Sequence, residues 1–157
     1  MQDTSENEKT TTGATACLPI KNEHMDNLFI AASPSSPEVD FRFDERRLSL
    51  KGESYPENAA QFWGDIITAL RRFLTEDTDS AAVTVNVALA YFNSSSTKML
   101  FSLFGALNDK AKAGTGTGTE IVLNWYHDED DDTIFEFGQE LMEDFPDLVF
   151  NDHAVKS

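Results

Sequence analysis

The amino-acid sequence predicts a single α/β domain built on a mixed β-sheet with helices packed on it. Three observations support this class. Alternating apolar and charged residues over 38–51 favour an antiparallel hairpin. Two segments rich in apolar and small residues, 81–92 and 121–126, are typical of strands covered by helices. Amphipathic helical patterns separate these strands, which indicates that part of the sheet is parallel.

The N-terminal third is predicted to contain a tail, a short strand and the hairpin. Residues 1–26 are polar and acidic without sustained periodicity, and we interpret them as a disordered tail that precedes the domain, residues 27–157. An apolar strand is expected over residues 27–31, followed by a turn at 33–37 that contains two prolines. The hairpin strands are expected over residues 38–43 and 46–51.

The segment 54–58 is predicted to lead into the first helix. Pro56 is preset for a first helical turn, and Glu57 complements the positive end of the helix dipole. From Asn58 to Leu74 the apolar residues recur at helical spacing. A polar loop then leads to the strand at 81–92, which we place centrally in the sheet. Its larger side chains are expected on one face: Val83, Val85, Val87, Leu89 and Tyr91.

The second half of the chain is predicted to alternate between helices and strands. A helix after Asn93 ends near Gly114, and the repeat of glycine and threonine over 114–119 is interpreted as a surface loop. Phosphate-cradling loops run from a strand to a helix, whereas this repeat follows a helix. A last helix is expected to end at Pro146, before an edge strand near residues 148–150.

Composition excludes several function classes. The formal net charge of -16 repels phosphate backbones and anionic lipids, so we expect neither nucleic acid nor membrane as a partner. Solubility is the ordinary reason for such a charge, and attraction to a basic partner is the functional one. Cys17 is the single cysteine, so no internal disulfide is expected. The N-terminal residues lack the apolar segment of a signal peptide, and we expect a cytoplasmic protein.

No pattern in the sequence indicates a catalytic or metal centre. His24, His127 and His153 are far apart, and the acidic run at 128–132 lacks the alternate spacing and glycine of a calcium loop. These acids are interpreted as stabilising a helix N-terminus. No motif of a serine hydrolase is present. We therefore expect a non-enzymatic protein without a cofactor.

The remaining candidate site is the run of hydroxyl residues from Ser94 to Thr97, which ends a strand and opens a helix. Its ordinary interpretation is helix capping by Asn93 or a serine, which stabilises a helix by about 1 kcal/mol. The functional interpretation is a modification site, because a hydroxyl here is exposed at the end of a rigid strand. A phosphoryl group would add about -1.5 to -2 charges there.

Two motifs resemble the SiaC family of bacterial regulatory phosphoproteins. One is the Gly-Glu-Ser-Tyr-Pro-Glu-Asn segment at 52–58, and the other is the Tyr-Phe-Asn-Ser-Ser-Ser-Thr-Lys-Met segment at 91–99. With Trp-Tyr-His-Asp at 125–128 and Glu-Asp-Phe at 143–145, they extend the resemblance over about residues 27–151.

The resemblance implies a domain similar to anti-sigma-factor antagonists, the STAS-like fold. It implies that a Ser/Thr kinase of the histidine-kinase-like ATPase type phosphorylates Ser94 and that a PP2C-type phosphatase removes the phosphate. The unmodified protein is expected to bind and activate a diguanylate cyclase with a GGDEF domain, or another effector, in control of biofilm formation and aggregation. The implied partner surface consists of Asn93, Ser94, Ser95, Ser96, Lys98, Tyr55, Pro56, Glu57 and Asn58.

Three other interpretations stay open at this point. A regulator of the anti-sigma-factor-antagonist type would share the fold and the phosphorylation switch but bind another partner. A small enzyme would use the acidic surroundings of His127. A constitutive adaptor would have the same fold and never be phosphorylated.

Overall fold

A computed structural model describes residues 26–77, 81–113 and 119–156, which form a mixed six-stranded sheet with helices packed on it. The α/β class and its mixed sheet are thus confirmed. Of the sequence-based predictions, the tail to residue 25 and the glycine-threonine loop at 114–118 lie outside the described residues. The elements, in chain order, are β1 (Leu28–Ile30), β2 (Glu38–Arg42), a 3-10 turn (Phe43–Glu45), β3 (Arg47–Ser54), α1 (Ala59–Glu76), β4 (Val83–Phe92), α2 (Ser94–Ala113), β5 (Ile121–Asp128), α3 (Asp132–Asp144) and β6 (Val149–Val155).

The strands lie side by side in the order in which they occur in the chain. The pairs β1–β2 and β2–β3 are antiparallel, whereas β3, β4, β5 and β6 are parallel neighbours. Right-handed crossovers that all advance in the same direction put their helices on the same face of a sheet. The helices α1, α2 and α3 therefore cover one face, and the carboxyl ends of β3 to β6 all meet at one end of the molecule.

The covered face holds the apolar core. Trp63, Phe104 and Trp125 are among its largest fully buried side chains. Trp125 stacks against Phe137 of α3 with a centroid distance of 5.7 Å. Burial of each such side chain contributes about 1.5–3 kcal/mol. An ideal Cβ on Gly138 would lie only 2.6 Å from Trp125, so the absence of a side chain lets α3 approach the sheet this closely.

The opposite face of the sheet is lined by polar side chains that bond across the strands. Asn124 donates to the Asn86 side chain over 2.9 Å, and Asn151 donates to Asn124 over 3.2 Å. Tyr126 stacks on His153 beside this row, with a centroid distance of 4.6 Å. The amide row holds β4, β5 and β6 together on the side opposite the three described helices.

Two local predictions were wrong. Tyr91 was expected beside Leu89 on the core face, but the β3–β4 register shifts between Gly52 and Glu53. Leu89 pairs with Gly52 and Tyr91 pairs with Glu53, so Ala90 is an extra residue. This bulge turns Tyr91 to the outer face, where its side chain is 49% exposed. Gly52 has a φ of 121°, a conformation that residues with a Cβ rarely adopt.

The second error concerns the start of the first helix. Helix α1 begins at Ala59, and the Asn58 side chain caps it by accepting a hydrogen bond from the Gln61 N–H over 3.0 Å. Pro56 and Glu57 therefore lie before the helix rather than in its first turn. The physical reason is that an asparagine cap satisfies a free N–H group of the helix end, and only one residue can occupy the cap position.

A charged cluster closes the other end of the sheet. Arg46 forms two hydrogen bonds to the Asp77 carboxylate, over 2.6 and 2.9 Å, and the Asp77 side chain is only 5% exposed. Lys110 approaches the same carboxylate at 3.9 Å. The cluster joins the hairpin to the ends of α1 and α2, because Asp77 directly follows α1.

Candidate functional site

The two sequence motifs meet at the carboxyl ends of β3 and β4. Ser54, the last residue of β3, pairs in parallel with Phe92, the last residue of β4. The Asn93 N–H donates to the Ser54 carbonyl over 3.0 Å. The segment that enters α1 and the segment that enters α2 therefore leave the sheet side by side, and their side chains form one site.

Three buried side chains form the floor of this site, which we call the anchor: Trp63, Ser54 and Ser96. The indole Nε1–H of Trp63 donates to Ser54 Oγ over 3.0 Å, and Ser54 Oγ shares a 2.7 Å hydrogen bond with Ser96 Oγ. All three residues are fully buried. Buried hydroxyl and indole groups are costly unless they are paired, so the anchor fixes α1, β3 and the first turn of α2 relative to one another. Ser96, which belongs to the predicted partner surface, lies in the floor rather than on the surface.

Asn93 caps helix α2. Its side-chain Oδ1 accepts from the Ser96 N–H over 2.9 Å, and its carbonyl accepts from the Thr97 N–H over 2.9 Å and from Thr97 Oγ1 over 3.0 Å. Capping is thus the work of Asn93. Ser94 and Ser95 are the first two residues of α2, and both are exposed. The first turn of α2 contains no acidic side chain.

Exposed side chains lie where β3 and β4 end and α2 begins, and we call this set the rim: Tyr55, Tyr91, Ser94, Ser95 and Lys98. The rings of Tyr55 and Tyr91 meet edge to face at 5.8 Å and remain 40% and 49% exposed. Lys98 is exposed and lies one turn after Ser94, on the same side of the helix. The rim therefore combines aromatic surface, exposed hydroxyl groups and a positive charge on an acidic protein.

The other residues of the first motif border the rim. The Tyr55 N–H donates to the Ser35 carbonyl over 2.8 Å, which holds the proline-containing turn against the site. Pro56 is half-buried, and Glu57 and Asn58 are exposed. All the predicted site residues thus lie at the same end of the molecule, with Ser96 below the surface and Asn58 and Asn93 acting as helix caps.

His127 lies near the carboxyl end of β5, beside a cavity of about 230 Å³ that Asp128, Asp131 and Ile134 also line. Its Nδ1 is 2.9 Å from the Asp128 carbonyl and its Nε2 is 3.0 Å from the Asp152 carboxylate. Burial opposes the charged ring, but the hydrogen bonds to Asp152 and to the Asp128 backbone, with the nearby carboxylates, raise the pKa of His127 above its ordinary value. Each ring nitrogen already has an acceptor, so His127 links β5 to β6, and we call this pair of hydrogen bonds the His127 clamp.

The described residues contain no group of three or more His, Cys, Asp and Glu side chains arranged to hold a metal ion. Within the same part of the chain, no helix is long and apolar enough to cross a membrane.

Comparison with known proteins identifies the family of this chain. The model of the SiaC family regulatory phosphoproteins matches residues 30–155. The chain belongs to the SiaC family. An uncharacterised protein of Pseudomonas aeruginosa is 28% identical to this SiaC-family chain over 120 residues, which cover 76% of this chain and 90% of that protein.

Solved structures of the family share the fold. The crystal structure of apo-SiaC from Pseudomonas aeruginosa matches with a TM-score of 0.72 and 28% identity, over 83% of this chain and 100% of that one. A chain in the crystal structure of the diguanylate cyclase SiaD in complex with its activator SiaC, from the same species, also has a TM-score of 0.72. It is 27% identical, over 82% of this chain and 99% of that one.

Sequence reasoning missed the anchor and the His127 clamp. Ser54 and Ser96 are 42 positions apart, and His127 and Asp152 are 25 apart. The only signal in the sequence is that both serines occur in motifs that end strands. If those strands are parallel neighbours, their ends must meet.

Proposed function

We propose that this protein is a regulatory binding protein switched by phosphorylation of Ser94. In the unmodified state it binds and activates a partner, a diguanylate cyclase with a GGDEF domain. A Ser/Thr kinase of the histidine-kinase-like ATPase type adds the phosphate, and a PP2C-type phosphatase removes it. The pathway controls biofilm formation and aggregation through c-di-GMP.

The single observation that carries this proposal is that Ser94, in the first turn of α2, takes no part in the capping and buried hydrogen bonds that its neighbours make. Asn93 does the capping and Ser96 does the anchoring, whereas Ser94 is exposed. A kinase can thus reach Ser94 without disturbing a contact on which the fold depends. The structural match to an activator of a diguanylate cyclase supports the choice of partner class.

The domain is suited to accept a phosphate at this position. Helix N-termini favour anions because free N–H groups and the positive end of the dipole point there. Lys98 lies four residues after Ser94, at the spacing that allows a phosphate and a cation to pair along a helix. Phosphorylation should therefore leave the fold intact.

The same phosphate should weaken binding of the partner. A partner that covers the rim must remove water from the surface of Tyr55 and Tyr91 and from Ser94. A phosphate buried there without a partner cation pays a desolvation penalty of several kcal/mol. The switch thus acts by charge and bulk at the interface.

Binding of the Ser94→Asp and Ser94→Ala variants to immobilised diguanylate cyclases from the protein's own cell tests the proposal. We expect Ser94→Asp to lose at least about tenfold in affinity, which corresponds to about 1.4 kcal/mol, and to fail to stimulate c-di-GMP formation. Ser94→Ala should bind and activate like the unmodified protein.

Ser102→Asp provides the matched control, because Ser102 is exposed on the same helix two turns beyond Ser94. It adds the same charge away from the rim and should bind normally. Equal binding by Ser94→Asp and Ser94→Ala would refute the switch. Equal loss in Ser94→Asp and Ser102→Asp would show a general effect of charge instead.

A further inference from the structure

The edge strand β6 has no strand on its outer side in the described part of the chain. The Glu129 N–H on the β5 side donates to the Val155 carbonyl over 2.8 Å. Because the N–H and C=O groups of successive residues point to opposite edges of a strand, the backbone groups of Phe150, Asp152 and Ala154 point away from β5. These groups are available to pair with another strand.

This edge lacks two features that often protect a sheet edge, a proline and a bulge, and its one charged side chain, Asp152, points inward to His127. The seven residues of β6 contain no proline, and their pairing with β5 runs in register without a bulge. The opposite edge differs, because β1 has only three residues and the turn that follows it contains Pro34 and Pro37. Of the two edges, only β6 is long enough to pair with several residues of an incoming segment.

Helix α3 overhangs this edge with exposed apolar side chains. Phe135, Gly138 and Met142 recur at helical spacing along one side of α3. That side lies over β5 and β6, since an ideal Cβ on Gly138 would lie 2.6 Å from Trp125 and 3.2 Å from Phe150. The Phe135 ring lies 5.4 Å from that of His127. Phe135 and Met142 remain 39% and 44% exposed. Both side chains therefore leave apolar surface uncovered on the side of α3 that lies over β5 and β6.

The negative charge around α3 and β6 indicates which kind of segment would bind at this edge. No lysine or arginine occurs between Ile121 and Val155. The outer surface of α3 carries a row of exposed carboxylates: Asp132, Glu136, Glu140 and Glu143. Two copies of this surface would repel each other, whereas a segment with lysine or arginine side chains would be attracted.

We propose that the β6 edge and the overhanging side of α3 form a docking surface for an extended, basic segment of a partner protein. The segment adds a strand to the sheet, and its backbone pairs with Phe150, Asp152 and Ala154. Its apolar side chains alternate with basic ones and pack against Phe135 and Met142. This surface is two strands away from β4, where Ser94 follows, so it works independently of the proposed switch.

A synthetic peptide of alternating lysine and valine serves as the probe, with binding followed by fluorescence anisotropy. Amide hydrogen exchange read by NMR locates the contact. On binding, the amides of Phe150, Asp152 and Ala154 should exchange more slowly, whereas those of Asn151 and His153, which face β5, should not change. A peptide of alternating glutamate and valine should bind at least about tenfold more weakly.

Substitutions separate the backbone and side-chain contributions. Ala154→Pro removes one outward N–H group, which an edge strand tolerates, and should weaken peptide binding about tenfold. The double variant Phe135→Ser with Met142→Ser should have a similar effect through the lost apolar contact. Phe29→Ser is the matched control, because Phe29 is 61% exposed on the opposite edge of the sheet, and it should bind normally. Ser94→Asp should also bind the peptide normally.

Circular dichroism of each variant confirms that it folds before binding is compared. Equal affinity for the basic and acidic peptides would overturn the proposal, as would unchanged exchange at Phe150, Asp152 and Ala154. Concentration-dependent self-association that Ala154→Pro abolishes would assign the edge to a second copy of the chain and would also overturn it.

Discussion

The anchor and the rim each contain a serine from the first turn of α2, buried in the anchor and exposed in the rim. Ser96 is fully buried and bonded to Ser54, while Ser94, two positions earlier, is exposed. The anchor holds three elements together and can tolerate no charge. The rim side chains are exposed, so a change of charge there is expected to disturb the fold little. The difference shows how a rigid domain can carry the proposed modification site: the residues that fix the position of the site are not the residue proposed to be modified.

The largest predicted effect on stability comes from placing a negative charge in the anchor instead of in the rim. Ser96→Asp would bury a carboxylate beside Ser54 and Trp63 without a cation, and should lower the free energy of unfolding by about 3–5 kcal/mol. Ser94→Asp should change it by no more than about 0.5 kcal/mol. Urea denaturation of the two variants checks this. Equal stabilities would mean that the anchor and the rim are not distinct.

A second prediction concerns Gly52 of β3, which lies beside the β4 bulge that turns Tyr91 outward. Gly52→Ala forces a side chain into a backbone conformation with a φ of 121° and should cost about 1–3 kcal/mol of stability. Partner binding should fall with it, because Tyr91 would shift.

Gly64→Ala is the control for Gly52. Gly64 lies inside α1, and an added Cβ there would meet nothing within 4 Å. This variant should gain about 0.4–1 kcal/mol, as alanine usually does over glycine in a helix. Thermal unfolding that gave both variants the same sign of change would contradict the assignment of strain at Gly52.

Trp63→Phe tests the hydrogen bond within the anchor while keeping most of the apolar volume. The variant loses the indole N–H that donates to Ser54, and we expect a loss of about 1–2 kcal/mol. Phosphorylation at Ser94 should proceed at the normal rate at temperatures where the variant is folded. A folded variant that could not be phosphorylated would show that the anchor also shapes the kinase site.

The smallest effect is the pH dependence from His127, whose ring nitrogens bond to Asp128 and Asp152 rather than to the anchor or the rim. Its pKa is raised in the folded protein, so the stabilising contribution is complete below the unfolded value of about 6.5 and is lost as the pH rises through the folded value. The urea midpoint should therefore fall between about pH 6 and pH 8, relative to that of His127→Gln. A midpoint difference that stays constant over this range would rule out the charged clamp.

Much of the fold follows from local patterns, whereas the site depends on contacts that such patterns do not contain. Apolar periodicity predicts the hairpin, α1 and the central strand β4, because each buries one face. The reversal of Tyr91 depends on the conformation of Gly52 in the neighbouring strand, which the alternation in β4 cannot reveal. The pairing of Ser54 with Ser96 needs the strand order as well. The motifs therefore indicate where the candidate site lies, and the structure shows which of its residues are buried.

The measurement that tests the central claim most directly is phosphate mapping by mass spectrometry, after incubation with ATP and the cell's own kinase of the histidine-kinase-like ATPase type. The kinase is first shown to be active on another substrate. We predict phosphate on Ser94, lost in Ser94→Ala and retained in Ser95→Ala, the neighbouring exposed serine. Phosphate that persists in Ser94→Ala, or none on the unmodified sequence, would contradict the account.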